Sequence, residues 1–278
     1  MIDDHQVSMI DAAAFHDFEQ AGWQRAAEYY AAAFSTLTAQ TAEPLLDAAA
    51  VARGARVLDV ATGPGVIAGA ASGRGASVTG LDFSSAMIAR ARAAHPAVTF
   101  REGDAEALPF DASAFDAVVM NFGMLHLAQP DKAIAEARRV LRPGGRFAFT
   151  VWGPPEQAVG FGIVVRAIEQ YGVPGIGLPE GPPFFQFSDA AVCRHALTTA
   201  GFTGVEVATV PLVWNVRSAD EVIAAMSDGG VRTAAVLRAQ TPAALEQIHA
   251  AIKRNVETYR TTDGCRLPMP VVLASGTA

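Results

Sequence analysis

Apolar positions in the first fifty residues fall at helical spacing. Trp23, Tyr30 and Leu37 recur every seven residues, with Ala27 and Phe34 beside them. Residues 12–51 therefore read as helical with one apolar face. Pro44 suits the first turn of a second helix. From Arg56 the period changes. Arg56–Val60 is a short apolar run of strand character, followed by a glycine-bearing segment at 61–65 and a helix over 66–72. Further strands are expected at 77–81, 98–100, 117–120 and 146–151, with helices at 84–94 and 132–141. Pro143-Gly144-Gly145 reads as a tight turn into the strand at 146. Strands alternating with helices in this way imply βαβ units and a parallel sheet.

The second half has another texture. Residues 153–187 mix proline, glycine and aromatic rings around one helix near 160–171. A helix over 189–200 ends at Gly201, and a strand is expected at 203–213. Residues 219–259 are helical with breaks, and 270–274 forms a last short strand. We read the chain as one domain, 1–278. N-terminal helices (1–52) precede a core (53–152), and two insertions, 153–187 and 218–262, form a helical and loop lid near the C-terminal strands.

Composition narrows the function. At 278 residues and 51% hydrophobic, the chain can fill one α/β core with length to spare. A net charge of -7 offers no footprint for a phosphate backbone, so no nucleic-acid partner is expected. Cys193 and Cys265 are too few for a disulfide framework or a zinc site, which suits a reducing cytoplasm. Met1 to His5 does not resemble the start of a signal peptide. No run approaches the roughly 20 apolar residues of a membrane span. No metal-ligating constellation is apparent, and a homodimer is one option for an oligomeric state the sequence leaves open.

The informative segment is Val57-Leu58-Asp59-Val60-Ala61-Thr62-Gly63-Pro64-Gly65. Small residues after a first strand let a ligand approach the backbone, and the next helix aims free N–H groups at it. Gly63 to Ala68 also fits the dinucleotide pattern G-x-G-x-x-G/A, so an NAD(P)-dependent oxidoreductase is a rival reading. Three carboxylates weigh against it. Asp59 lies where an acid can take up an amino group but would repel a pyrophosphate. Asp82 closes the second strand, where an acid can bind both ribose hydroxyls. Asp104, in Gly103 to Phe110, can accept from an adenine amino group, with the Ala105 N–H donating to the ring.

These pieces resemble the class I S-adenosylmethionine-dependent methyltransferases of the ubiquinone/menaquinone-biosynthesis type. The matching motifs are Val57 to Gly65, Gly80 to Met87, Gly103 to Phe110, Phe115 to Met120 and Arg139 to Gly145, in order over residues 53–151. Ala61 stands where that family has glycine. The resemblance implies a Rossmann-like α/β fold: a seven-stranded, mostly parallel sheet with helices on both faces and one antiparallel strand. It implies S-adenosylmethionine as cofactor, S-adenosylhomocysteine as product, and methyl transfer to O, N or C of a small, partly apolar or aromatic molecule. Asp59, Ala61, Gly63 and Gly65 would line the methionine half. Asp82 would hold the ribose, with Phe83 and Met87 packing nearby. Asp104 and Ala105 would read the adenine, and Asn121 and Phe122 would sit beside the reacting centre. Tyr30 is a candidate cofactor contact, although Trp23 and Tyr30 equally fit a helix-face core. A SAM-binding protein without catalysis is a further alternative.

Methyl transfer needs an aligned nucleophile more than an elaborate catalyst. Where a base is required, His126 is the best-placed histidine, against a structural reading of the same residue. His5 and His16 are weaker candidates, and His95, His195 and His249 read as surface residues. The segment Asn121-Phe122-Gly123-Met124 lacks the two prolines of DNA amino-methylating enzymes. Phe161, Tyr171, Phe184, Phe185 and Phe187 crowd one insertion. They either cover a sheet edge or line a lid that favours a flat, apolar acceptor. In the lid reading Phe184, Phe185 or Trp214 faces the cavity.

Overall fold

The computed structural model describes residues 11–278, which leaves His5 and the rest of the first ten residues outside the description. The chain opens with α1 (Ala12–Ala33), whose cap is the Asp11 carboxylate accepting the Ala14 N–H at 3.0 Å. A short helix α2 (Ser35–Thr38) and a 3-10 turn lead into α3 (Ala42–Ala48). The alternation then follows: β1 (Arg56–Val60), α4 (Val66–Gly73), β2 (Ser77–Asp82), α5 (Ser85–Ala94), β3 (Thr99–Glu102), β4 (Phe115–Asn121), α6 (Pro130–Val140) and β5 (Leu141–Trp152). Beyond it come α7 (Val159–Tyr171), α8 (Ala190–Thr199), β6 (Thr203–Val210), β7 (Val213–Val216), α9 (Ala219–Asp228), α10 (Arg232–Arg238), α11 (Pro242–Glu257), β8 (Arg260–Thr261), β9 (Gly264–Pro268) and β10 (Val271–Thr277).

Seven strands form the main sheet in the order β3-β2-β1-β4-β5-β10-β6. All pairings are parallel except those of β10, which runs antiparallel to both β5 and β6. This is the Rossmann-like sheet with one reversed strand that the motifs imply. Both faces are covered, as the period-2 alternation of side chains requires. Leu58, Val60, Val118, Met120, Phe147 and Phe149 pack with Ile134 of α6 and Leu197 of α8. Val57, Ala117, Val119 and Ala148 face the other way, onto Leu45 and Leu46 of α3, Ile67 of α4 and Ile88 of α5. Chain order reverses between β1 and β4, and a crevice opens there at the strands' carboxyl ends, where such sheets bind ligands.

The structure redraws three parts of the sequence reading. The strand expected at 203–213 stops at Val210. Pro211 has no N–H for the ladder, and Val213–Val216 departs into a second sheet. That sheet, β7-β9-β8, is antiparallel and includes a hairpin at 260–268, to which the local pattern assigned no element. The Pro143-Gly144-Gly145 turn lies inside β5, which starts at Leu141. Extra residues shift its register on β4 between Phe115 and Ala117, and Gly144 carries φ 79°. No helix of the described residues is long and apolar enough to cross a membrane.

Candidate functional site

The site begins where β1 runs out. Ala61, Gly63 and Gly65 all take left-handed φ values, 53°, 54° and 84°. Gly63 faces open space where a Cβ would stand, so a ligand can reach its backbone. Gly65 differs. A Cβ there would lie 2.9 Å from the Phe100 ring and 3.0 Å from His95, so its small size serves the packing of α4. His95 is half-buried in that contact rather than free on the surface. The loop is fastened to β2, because Thr62 N–H donates to the Leu81 carbonyl and Gly63 N–H to Asp82 Oδ2, both near 2.9 Å.

Two buried carboxylates face this loop. Asp59 is 1% exposed, and its Oδ2 accepts the Thr62 hydroxyl at 2.6 Å. Its Oδ1 is buried without any hydrogen-bond partner among the described residues. Burial, opposed by the Thr62 hydrogen bond, pushes the carboxyl up to about 7. Asp82 accepts Gly63 N–H and Ser84 N–H, one on each oxygen, and burial raises it to about 6. An orphaned carboxylate oxygen in a crevice is a ready partner for a cationic amine.

The next wall comes from β2, α5 and the loop after β3. Phe83, Met87, Asp104 and Ala105 line the crevice. Asp104 Oδ1 closes a turn by accepting Glu106 N–H at 2.8 Å, which leaves Oδ2 turned towards His16 Nε2 at 3.4 Å. His16, on α1, thereby overhangs this end of the cavity. Gln24, also on α1, accepts from Ser84 Oγ and Ala86 N–H and so ties the helix down over α5.

At the end of β4, Asn121 lines the cavity, but its side chain is spent on the scaffold. Oδ1 accepts the Thr41 and Thr150 hydroxyls at 2.8 and 2.5 Å, and Nδ2 donates to the Thr38 carbonyl. Phe122 holds a left-handed φ of 56° and stacks on Trp152 with centroids 4.0 Å apart. Strain of this kind in a non-glycine residue costs roughly 1–2 kcal/mol and persists where packing over-determines it.

Aromatic rings form the opposite wall: Trp23, Tyr30, Phe34, Phe122, Trp152 and Phe161, with Phe184 at its margin. Residues 153–187 contribute through Phe161 and Phe184, and 218–262 through Met226 and the Gly229–Thr233 segment. Among these rings sits a chain of charge. His126 ends a 3-10 turn after β4, and its Nδ1 lies 2.9 Å from Glu19 Oε2. Glu19, on α1, is fully buried, and its other oxygen accepts from Arg232 Nε of α10 at 3.0 Å. Arg232 also donates to the Pro182 carbonyl and lies over the Phe15 ring.

Of the candidate residues, Tyr30, Asp59, Ala61, Gly63, Asp82, Phe83, Met87, Asp104, Ala105, Asn121, Phe122, His126 and Phe184 converge on one cavity. Gly65, Phe185 and Trp214 do not line it. Trp214 is buried against Phe34 and beside Gly160, in the core joining the small sheet to α7. Phe185 packs edge-on against Phe184 at the core's margin. Glu19 and Arg232 were missed. The available signal was a charge on an otherwise apolar stripe, since Glu19 shares the α1 face of Phe15 and Gly22. Among the described residues no group of three or more His, Cys, Asp or Glu could hold a metal.

The model of a family described as a methyltransferase domain matches residues 58–149. A demethylmenaquinone methyltransferase of Thermus thermophilus is 42% identical over 166 residues, which span 53% of this chain and 74% of that protein. One of Renibacterium salmoninarum is 40% identical over 111 residues, 40% of this chain and 47% of its own length, so this match spans about half of that relative. Among solved structures, the YcgJ protein of Bacillus subtilis shares the fold at TM-score 0.57 and 18% identity, covering 86% of this chain and 97% of that one. The unpaired Asp59 oxygen, the acid at the end of β2 and the open backbone at Gly63 fit a ligand with an ammonium group and a ribose that passes close to the chain between them. With the relation to the Thermus enzyme, this arrangement assigns the cofactor: the chain belongs to the class I S-adenosylmethionine-dependent methyltransferases.

Proposed function

We propose that the protein methylates a flat, largely apolar small molecule carrying an ionisable O–H or N–H. The observation that carries this reading is the shape of the cavity's lining. Carboxylates stand along the β1–β2–β3 side, and a wall of Trp23, Tyr30, Phe34, Trp152, Phe161 and Phe184 stands opposite. When bound, S-adenosylmethionine supplies a methyl group activated by its sulfonium, whose C–S bonding electrons leave with the sulfur. Asp59 Oδ1 receives the ammonium, Asp82 the ribose hydroxyls, and Asp104 with Ala105 the adenine. Aromatic rings take the acceptor by its faces and exclude water from the reacting centre. Nε2 of His126 takes the proton the acceptor loses. The names of the relatives make demethylmenaquinone the first compound to try. The two buried free cysteines support a cytoplasmic setting.

The experiment offers radiolabelled S-adenosylmethionine with reduced demethylmenaquinone, 1-naphthol, a catechol and an aliphatic amine as separate acceptors. Methylation of the ring compounds and not of the amine is expected. Label transfer confined to the aliphatic amine, or to none of the four while S-adenosylhomocysteine binds, overturns the reading.

A further inference from the structure

The Arg232–Glu19–His126 chain has a more specific consequence, which rests on the reading of His126 as proton acceptor. Glu19 is 0% exposed, a setting that a carboxylate tolerates only when paired and hydrogen-bonded. Its two oxygens are divided. Oε1 faces Arg232 Nε at 3.0 Å, and Oε2 faces His126 Nδ1 at 2.9 Å. Arginine is always a cation in proteins, so Glu19 beside it is an acceptor-only carboxylate. The hydrogen between Glu19 and His126 must then be carried by Nδ1. A neutral imidazole with hydrogen on Nδ1 has its lone pair on Nε2.

That second nitrogen has no hydrogen bond within the described residues and is not among their enclosed, unpaired polar atoms. His126 lines the cavity, with Trp23 edge-on at 4.8 Å and Phe184 at 6.1 Å. The ring is thus clamped by two aromatic neighbours and one carboxylate, and its free nitrogen is left for the acceptor.

We infer that Glu19 is a positioning residue that fixes His126 as a base, and that Arg232 holds Glu19 in place from the C-terminal insertion. Three separate elements meet here: α1, the turn after β4, and α10. The acceptor's proton moves to Nε2 as its heavy atom bonds to the methyl carbon. The proton taken up at Nε2 leaves the ring's Nδ1–H against Glu19 Oε2 at 2.9 Å. The base is therefore complete only when α1 and α10 are both docked over the sheet. The same helices supply Trp23, Tyr30 and Arg232 to the cavity wall.

Two measurements test this. The first needs no acceptor. In the apo protein labelled with ¹⁵N-histidine, His126 should show a pyrrole-type Nδ1 and a pyridine-type Nε2, and Glu19→Gln should lose that preference. A wild-type Nε2–H tautomer overturns the inference. The second is a kinetic cycle with 1-naphthol as acceptor. Glu19→Gln should lower kcat by ~10-fold or more while acceptor KM and S-adenosylhomocysteine affinity hold. In a His126→Ala background the same change should cost nothing further. An equal loss in both backgrounds, or a parallel loss of S-adenosylhomocysteine binding, makes Glu19 merely structural and overturns the inference. If Glu19→Gln alone fails to fold because it strands Arg232, the pair Glu19→Gln/Arg232→Met removes the uncompensated charge and is carried through the same cycle. If 1-naphthol accepts no methyl group, the acceptor reading fails, and the tautomer measurement still decides this one.

Discussion

The buried Asp59 carboxylate, which we propose receives the cofactor's ammonium, is held at a cost in stability that can be read. Its carboxyl rises from an ordinary 3.8 to about 7, with burial as the first cause. At ~1.36 kcal/mol per pH unit, this corresponds to about 4 kcal/mol when the group is ionised in the folded apo protein. The sign follows from proton counting. Below about pH 4 both folded and unfolded chains hold the proton, and burial imposes no charge penalty. Between about 4 and 7 the unfolded chain has released it and the folded chain has not, so stability falls as pH rises. Above 7 the loss is complete. Asp59→Asn keeps the shape and leaves the Thr62 hydroxyl an oxygen to bond. The new amide nitrogen takes the place of the unpaired Oδ1. Leaving it unsatisfied costs roughly 1–3 kcal/mol, so the net gain is about 1–3 kcal/mol.

For a chain of this length that is a rise in Tm of roughly 2–10 °C. Calorimetric melts of the apo protein and of Asp59→Asn at pH ~8 and ~4.5 should show the variant melting higher at the first and losing that advantage at the second. Titration with S-adenosylmethionine should run the other way, with affinity falling at least ~10-fold, since a charge-assisted hydrogen bond to the ammonium is worth roughly 1.5–3 kcal/mol. Equal melting temperatures at the alkaline pH, or a gap that does not change with pH, would refute the claim that ligand recognition is bought with apo stability.

Three other perturbations separate the cavity's parts. Asp82→Ala should weaken S-adenosylmethionine at least ~10-fold by calorimetry in a folded variant, because two charge-assisted bonds to the ribose would be lost; unchanged affinity removes Asp82 from the cofactor. Ala61→Gly relaxes a residue held at φ 53°, and should raise Tm by roughly 2–4 °C for about 1 kcal/mol, while a fall would mean that the methyl group packs better than the backbone is strained. Phe184→Ala should raise acceptor KM several-fold, on the order of 1 kcal/mol of lost stacking, with S-adenosylhomocysteine affinity unchanged. A loss of cofactor affinity instead would place this ring at the cofactor.

What was legible in the sequence was local. The strand at Arg56–Val60 was recovered residue for residue, because an apolar run ending in small residues has no competing period. The acids at 59, 82 and 104 each stand within two residues of a strand's carboxyl end, so their convergence was implied once the sheet was parallel. The small sheet was not legible. Residues 260–268 hold polar residues at the start of the hairpin, and their partner β7 lies some fifty residues upstream across three helices. Pairing at that range leaves no mark on local periodicity. The aromatic-rich insertion shows the same limit. Phe184 reaches the cavity and Phe185 packs beside it at the core's margin, a difference of one residue that composition cannot register.

The charged network marks the boundary most clearly. Glu19 and His126 stand 107 residues apart, and Glu19 and Arg232 stand 213 apart, on elements with no sequence pattern in common. Each was ordinary in isolation: an acid on a long helix, a histidine after a strand, an arginine at a helix start. Together they form a buried ion pair, and such pairs are weak contributors to stability compared with a well-packed apolar substitute. A structural role alone would be filled as well by leucine and methionine, which would fit the apolar stripe that Phe15 already begins. The retained charge is better accounted for by what it does to its third member. An ion pair that only braced α10 against α1 would not need a carboxylate oxygen directed at a cavity-lining imidazole. On the proposal that His126 is the base, the division of Glu19's two oxygens between Arg232 and His126 ties the docking of α10 to the orientation of that base.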